Sequence, residues 1–299
     1  MERPIEIAVL SGKGGTGKTV LASSLARLSG SRVVADCDVD GPNMHLLANP
    51  TVLEEGTLAG HKIVVLDAGA CTRCGECAKA CRFGAVREHD VPEGWSYSID
   101  LLSCEGCRAC VMVCPVDALR LTDSSCITWY VSDSSVGLLI HPALAAGQKN
   151  AGELVRAVRR EARRRAARGG FRHIIIDGPA GIGAPAIASV IGTALAVLVA
   201  EPTISGLYDL GRVVDLLERL GIKVVGVVNK SDLNPDLASD IAGYLTRRGI
   251  QLLGSIPYSD RVNEAVSAGR FVVDVAGDPA VEEMKRVVAR ILDVAAGEA

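Results

Sequence analysis

Eight of the ten cysteines in this 299-residue chain fall between positions 71 and 114, and they repeat one spacing twice: Cys71-x2-Cys74-x2-Cys77-x3-Cys81, then Cys104-x2-Cys107-x2-Cys110-x3-Cys114-Pro115. Three thiolates within seven residues, followed by a fourth, is the run that grips 4Fe-4S clusters in bacterial ferredoxins, where the fourth cysteine of each run ligates the other cluster. The spacing therefore assigns Cys71, Cys74, Cys77 and Cys114 to one 4Fe-4S cluster, and Cys81, Cys104, Cys107 and Cys110 to a second. Tetrahedral zinc draws on paired C-x2-C knuckles instead. Dense cysteines in a reducing compartment point to metal rather than disulfides. Arg82 departs from the pattern, standing where the first run would carry proline. Cys37 and Cys126 lie outside both runs and read as packed thiols, with Cys37, between two aspartates, a candidate for oxidation sensing.

A second constellation lies near the start. Gly12-Lys13-Gly14-Gly15-Thr16-Gly17-Lys18-Thr19 fits G-x-x-x-x-G-K-[ST], directly after an apolar run and before a helical one. Glycines let backbone N–H groups close around phosphate oxygens, and the helix N-terminus adds its partial positive charge. Lys18 would supply a point charge to the β and γ phosphates of ATP, or to the β phosphate of ADP, and Thr19 would ligate Mg2+. Ile174-Ile175-Ile176-Asp177 is an apolar run ending in an acid, so Asp177 is expected to hold the same Mg2+ through water.

The extra Lys13 makes K-G-G-T-G-K-T the deviant form of this motif, and in it the sequence resembles the MinD/ParA/Mrp and nitrogenase iron protein superfamily. The resemblance implies that Lys13 reaches across a dimer interface to the partner's nucleotide, so that an ATP-dependent homodimer is the hydrolytic form. In Asp36-Cys37-Asp38-Val39-Asp40-Gly41-Pro42-Asn43, which resembles switch I, it implies that Asp38 orients the attacking water, with Asp40 an extra acid. Gly178-Pro179-Ala180-Gly181 resembles switch II. In Val227-Val228-Asn229-Lys230 it places Asn229 at the adenine, and Pro257, in Ile256-Pro257-Tyr258, flanks the base. The expected catalytic set is Lys13, Lys18, Asp38 and Asp177. The expected nucleotide contacts are Gly12, Gly14, Gly15, Thr16, Gly17, Lys18, Thr19, Val20, Asn229, Lys230 and Pro257. With the cysteine runs, the chain looks like MinD-superfamily ATPases that carry an inserted ferredoxin domain, and further matches at Trp129-Tyr130 to Gly152-Glu153 and Glu201-Pro202-Thr203 extend the likeness over nearly its whole length.

These residues need a scaffold that presents strand ends and a helix N-terminus together. Apolar, β-branched runs at Ile5–Leu10, Arg32–Ala35, His173–Ile176, Leu195–Ala200, Val224–Val228 and Leu252–Ile256 alternate with helical stretches at 19–28, 151–168, 184–192, 206–220 and 236–248. Runs with so little alternation suit parallel strands covered on both faces. The expected fold is α/β, a doubly wound, mostly parallel sheet over 1–57 and 124–299. The pattern breaks over 58–123, which is expected to be an inserted small α+β ferredoxin-like domain.

Bulk properties narrow the functions. At 48% hydrophobic residues the chain can build one large core and a small appended module. With 32 Lys+Arg against 35 Asp+Glu, net charge −3, it has no basic coat for nucleic acid. No apolar run approaches the roughly 20 residues of a membrane span, so stable membrane insertion is not expected and the cytoplasm is. The reading is an ATPase whose dimerisation is coupled to electron transfer, with an unidentified redox or cofactor-assembly partner. The alternatives are an accessory ATPase for iron-sulfur or other metal cofactor assembly, and MinD/ParA-type positioning. The helix from Arg156 to Arg168, with seven arginines, reads as a solvated face first and a docking site for an acidic partner or nucleic acid second. The last helix, Val281–Ala296, reads as a core-docking element.

Overall fold

The computed structural model describes residues 3–30, 32–39, 41–92, 94–124, 126–143 and 151–297; Asp40 and part of the 129–153 stretch lie outside the described residues. These fall into two compact units, one built from 1–56, 128–144 and 151–299, the other centred on 57–127.

The first unit contains β1 (Ile5–Ser11), α1 (Lys18–Leu28), β2 (Arg32–Asp36), α2 (Met44–Ala48) and β3 (Thr51–Leu58). In the second unit lie β4 (Lys62–Leu66), α3 (Glu76–Ala80), β5 (Val86–Val91), β6 (Gly94–Ile99), α4 (Ala109–Met112) and β7 (Leu119–Asp123). The first unit then resumes with β8 (Ile127–Ser134), β9 (Gly137–Pro142), α5 (Ala151–Gly169), β10 (His173–Ala180), α6 (Ala184–Val190), β11 (Leu195–Ala200) and α7 (Ile204–Arg219). It closes with β12 (Val224–Asn229), α8 (Pro235–Arg247), β13 (Gln251–Ile256), α9 (Asp260–Ser267) and α10 (Pro279–Ala296).

Nine strands form one sheet in the order β13-β12-β11-β1-β10-β2-β9-β8-β3. From β13 to β9 every neighbour is parallel, and β8 returns antiparallel to β9. The six apolar runs read from sequence are the parallel strands β1, β2, β10, β11, β12 and β13, the last of them at one edge of the sheet. β3, β8 and β9 were not foreseen. β3 is almost wholly exposed and β8 mixes Thr, Ser and Asp with its apolar residues, so neither forms a continuous apolar run. Ile7, Val9, Leu21, Leu25, Val34, Ile175 and Val197 form the core with Met284, Val287 and Ile291 of α10. That buried face accounts for the apolar pattern of the last helix, and no helix among the described residues is long and apolar enough to cross a membrane.

α5 buries Leu154, Val155, Val158 and Ala162, the stripe expected from its spacing. Its arginines are less solvated than their density suggests. Arg159 is 4% exposed, pairs with Glu6 at 2.6 Å and donates to the Ala188 and Ile191 carbonyls. Arg163 also holds Glu6, Arg164 and Arg165 hold Glu161, Arg165 reaches Glu54, and Arg156 pairs with Glu153. Five of the seven arginines thus pair with four carboxylates of the chain, which reduces the positive charge this helix could offer a nucleic acid.

In the second unit β4 pairs antiparallel with β7, and β5 with β6. Ile63, Val64, Ala85 and Leu119 pack there with Cys77, Cys104 and Cys110. Cysteines replace part of the aliphatic core that a unit of this size would otherwise need.

Candidate functional site

β1 runs into the glycine loop, and α1 begins at Lys18. Two glycines are demanded by their surroundings. A Cβ on Gly12 would lie 2.5 Å from Asp209 Cβ, and one on Gly17 would lie 2.4 Å from Asn229 Nδ2, with Gly17 itself at φ 96°. No side chain caps α1, so its first backbone N–H groups remain available to an anion. The loop is tethered from two strands away: Asn229 Nδ2 donates to the Thr16 carbonyl at 2.8 Å, and Lys230 Nζ to the Gly15 carbonyl at 3.1 Å.

A cleft of about 540 Å³ opens at the carboxyl ends of the strands, where ligands sit in open α/β sheets. Gly14, Gly15, Gly17, Lys18, Thr19, Val20, Asp38, Asn229, Lys230 and Pro257 line it, so the structure brings these residues together. Tyr258, Asn43 and Gly41 share the lining. The other sequence-selected residues stand back from it. Gly12 packs on Asp209, Thr16 is 2% exposed with its Oγ1 unpartnered, and Lys13 Nζ donates to Thr203 Oγ1 at 2.8 Å, 3.7 Å from Glu201.

Asp177 is fully buried, and neither carboxylate oxygen has a hydrogen-bond partner of ordinary geometry. Sequence reading missed its neighbour. Asp36 ends β2 opposite Asp177 in the parallel register, is also fully buried, and accepts from the Asp38 N–H at 3.2 Å and the Met44 N–H at 3.3 Å. The available signal was a second strand-end acid, masked by the more familiar position of Asp38. Burial, then the Asp177 charge, raises Asp36 well above the carboxylate range. Burial likewise lifts Asp177 to about 7; Thr19 draws it down, the Asp38 charge lifts it, and Lys18 lowers it. Two orphaned oxygens beside Thr19 and Lys18 fit a divalent cation, whose charge would offset that desolvation. Cys37, which follows β2, is completely buried, and burial drives its thiol far up, which suits a packed thiol rather than an oxidation sensor; Cys126 is exposed and is not the packed thiol expected.

A folded pKa raised above the unfolded one stabilises the native chain below the unfolded value and loses that stabilisation as pH climbs to the folded value. For nucleotide-free protein, Asp177 therefore withdraws stability between about pH 4 and pH 7. Asp177→Asn is expected to melt higher than wild type at pH 8, with the gap shrinking towards pH 5. Mg-ADP should raise the wild-type midpoint and leave the variant's almost unmoved. Differential scanning calorimetry across that range checks this.

The second unit carries two smaller cavities. Cys81, Cys104, Cys107 and Cys110 line one, with Val64, Phe83 and Ile99; Cys71, Cys74, Cys77 and Cys114 line the other, with Leu66, Tyr97 and Leu119. Each gathers three cysteines of one run and the last of the other. The two runs share their backbone geometry: Arg73 and Gly106, Gly75 and Arg108, and Gly84 and Asp117, at equivalent places, all have positive φ. Such left-handed residues turn successive N–H groups to one side, the concavity in which iron-sulfur sites form. Backbone N–H groups of Arg73, Ala85 and Ala118 donate to the sulfurs of Cys71, Cys81 and Cys114 at 3.4, 3.3 and 3.3 Å. Among the described residues no three His, Cys, Asp or Glu side chains converge as a single-ion site requires, whereas each set of four cysteines surrounds a space. The donor type is that of a cluster held by thiolates, while the cavities themselves, about 20 and 10 Å³, are about the size of a single water.

Residues 7–272 match the model of the CobQ/CobB/MinD/ParA nucleotide binding domain. An uncharacterized protein of Methanocaldococcus jannaschii is 32% identical over 234 residues, 77% of this chain and 79% of that protein. An uncharacterized ATP-binding protein of the same organism is 23% identical over 293 residues, 96% and 88% of the two chains. Among solved structures, the septum site-determining protein MinD of Pyrococcus horikoshii, complexed with Mg-ADP, superposes with a TM-score of 0.57 at 17% identity over 99% of each chain, a likeness of fold. The matched family model spans both the glycine loop and the strand-end aspartates, and the chain belongs to the CobQ/CobB/MinD/ParA nucleotide binding domain family.

Proposed function

We propose that this protein binds and hydrolyses ATP with Mg2+ as a homodimer, and that it couples this cycle to electron transfer through two 4Fe-4S clusters held by residues 58–123. The observation that carries the reading is the partition of the eight cysteines into two cavities by exchange of the fourth cysteine of each run. Zinc knuckles have no need of that exchange, and two neighbouring clusters do.

The nucleotide half rests on the chain's own groups. Lys18 and the uncapped start of α1 take the phosphate charge. Thr19 and Asp177 would hold Mg2+, and Asp38, on the cleft wall, is the group to orient the attacking water. Pro257 and Asn229 line the part of the cleft that would receive the base. Bound clusters supply one-electron transfer. The protein contributes thiolates, N–H donors to sulfur and partial shielding from water, all of which set potential. Exposed Cys74 and Cys107 mark one sulfur of each set that stands near the surface of the unit, where a partner's redox centre could approach.

Anaerobic purification followed by iron and acid-labile sulfide determination tests the reading. About eight of each per chain, together with Mg2+-dependent phosphate release from ATP, is the expected result. Stoichiometric zinc without sulfide, or no turnover, would overturn it.

A further inference from the structure

Arg82, which stands where the cysteine run would carry proline, lies between Cys81 and Phe83, and both of these line the cavity of Cys104, Cys107 and Cys110. Arg108 lies between Cys107 and Ala109, which line the same cavity. Both arginines are exposed, and neither pairs with a carboxylate among the described residues. Cys107 is itself exposed, and Phe83 is 51% exposed. Glu105 also lines this cavity and is already engaged.

The other cavity lacks this grouping. At the places equivalent to Arg82, Phe83 and Arg108 stand Pro115, Val116 and Gly75. Arg73, beside Cys74, is half-buried and already engaged, Lys79 pairs with Glu76 at 2.7 Å, and Asp117, between two lining residues, is exposed. The backbone adds a second distinction. Arg108 is held at φ 70° where the first run has Gly75 at φ 79°. Glycine adopts that conformation freely and arginine only against strain. Arg73, at φ 59°, is strained in the same way, but it is not free. The fold thus tolerates strain to keep an unpaired cation beside Cys107.

We propose that Arg82, Phe83 and Arg108 form the docking face for the redox partner, and that this partner is a one-electron carrier protein with an acidic surface around its redox centre. It would exchange electrons with the cluster of Cys81, Cys104, Cys107 and Cys110. This rests on the reading of residues 58–123 as the cluster-bearing unit, and goes beyond it by choosing one of the two exposed cysteines and the charge of the partner. Guanidinium groups match carboxylates bidentately, and a half-exposed aromatic ring supplies an apolar anchor between them. One electron passes between the carrier's centre and the cluster, one being reduced as the other is oxidised, with no bond made or broken.

Flavodoxin, an acidic one-electron carrier, serves as the probe. Isothermal titration calorimetry with the anaerobically purified protein should show binding that weakens as salt rises. Arg82→Gln combined with Arg108→Gln should raise Kd about tenfold at low salt and flatten the salt dependence. In stopped flow, electron transfer from dithionite-reduced protein to flavodoxin should slow about tenfold in that double variant, whereas transfer to hexaammineruthenium(III), a small cation, should not slow. Phe83→Ala should raise Kd about fivefold with the salt dependence kept. Arg82→Gln alone should raise Kd about threefold, and stands in if the double variant loses its clusters. Lys79→Gln removes one charge beside the other cavity and should leave Kd within about twofold of wild type. Wild type that shows no salt-sensitive binding, arginine variants that bind like wild type, or an equal loss in Lys79→Gln would each overturn the proposal. Iron and sulfide content separate the two levels. Protein with about eight iron atoms per chain and unmoved arginine variants refutes only the docking face, whereas protein without sulfide refutes the cluster reading itself.

Discussion

Lys18→Ala is expected to reduce ATP turnover by at least about a hundredfold and to weaken nucleotide binding in the same assay. Lys18 is 5% exposed, opens α1, and lines the cleft. A cation so shielded acts on phosphate charge with little competition from water, which makes its loss far more costly than that of a solvated lysine. Its second task is to lower the pKa of Asp177, so its removal also leaves a harsher electrostatic environment for an acid that must be ionised to hold Mg2+. The measurement is phosphate release alongside the affinity for a fluorescent ATP analogue. Near-wild-type turnover would mean that the glycine loop is not the phosphate site.

Cys81→Ser has the largest effect expected in the second unit, and it separates assignment by cavity from assignment by sequence proximity. Cys81 follows Cys77 in the chain but lines the cavity of Cys104, Cys107 and Cys110. Its replacement should lower iron from about eight to about four per chain. The surviving cluster should give the same reduced electron paramagnetic resonance spectrum as the one left by Cys107→Ser, and a different one from that left by Cys74→Ser. If Cys81→Ser matches Cys74→Ser instead, each run holds its own cluster and the exchange is refuted. ATP binding should survive all three substitutions, because none of these cysteines lines the nucleotide cleft.

Much of this molecule was legible because its chemistry restricts which residues can serve. Backbone that closes around phosphate needs Gly12 and Gly17 where a Cβ would collide with Asp209 or Asn229, and parallel strands covered on both faces are predominantly apolar, as along β11 and in the middle of β1 and β10. β3, exposed at one edge of the sheet, and β8, which mixes polar with apolar residues beside it, obey neither constraint and were invisible. Asp36 was overlooked because its importance lies in register: only the pairing of β2 with β10 sets it opposite Asp177. The arginines of α5 misled for a similar reason. Glu6 and Glu54 lie far away in sequence, and a helical wheel cannot show that they fold back onto Arg159 and Arg165. The hold on Lys13 by Thr203 and Glu201 is likewise a product of the fold, which brings the end of β11 beside the loop after β1.

The coupling of nucleotide and cluster chemistry is the central claim. Its most direct test is the ATPase rate of anaerobically purified protein with clusters oxidised, compared with the same protein reduced by dithionite. The rate is expected to change with redox state, and Cys107→Ser is expected to lose that dependence while still binding ATP. A rate identical in both redox states, in protein shown to carry both clusters, would contradict the account.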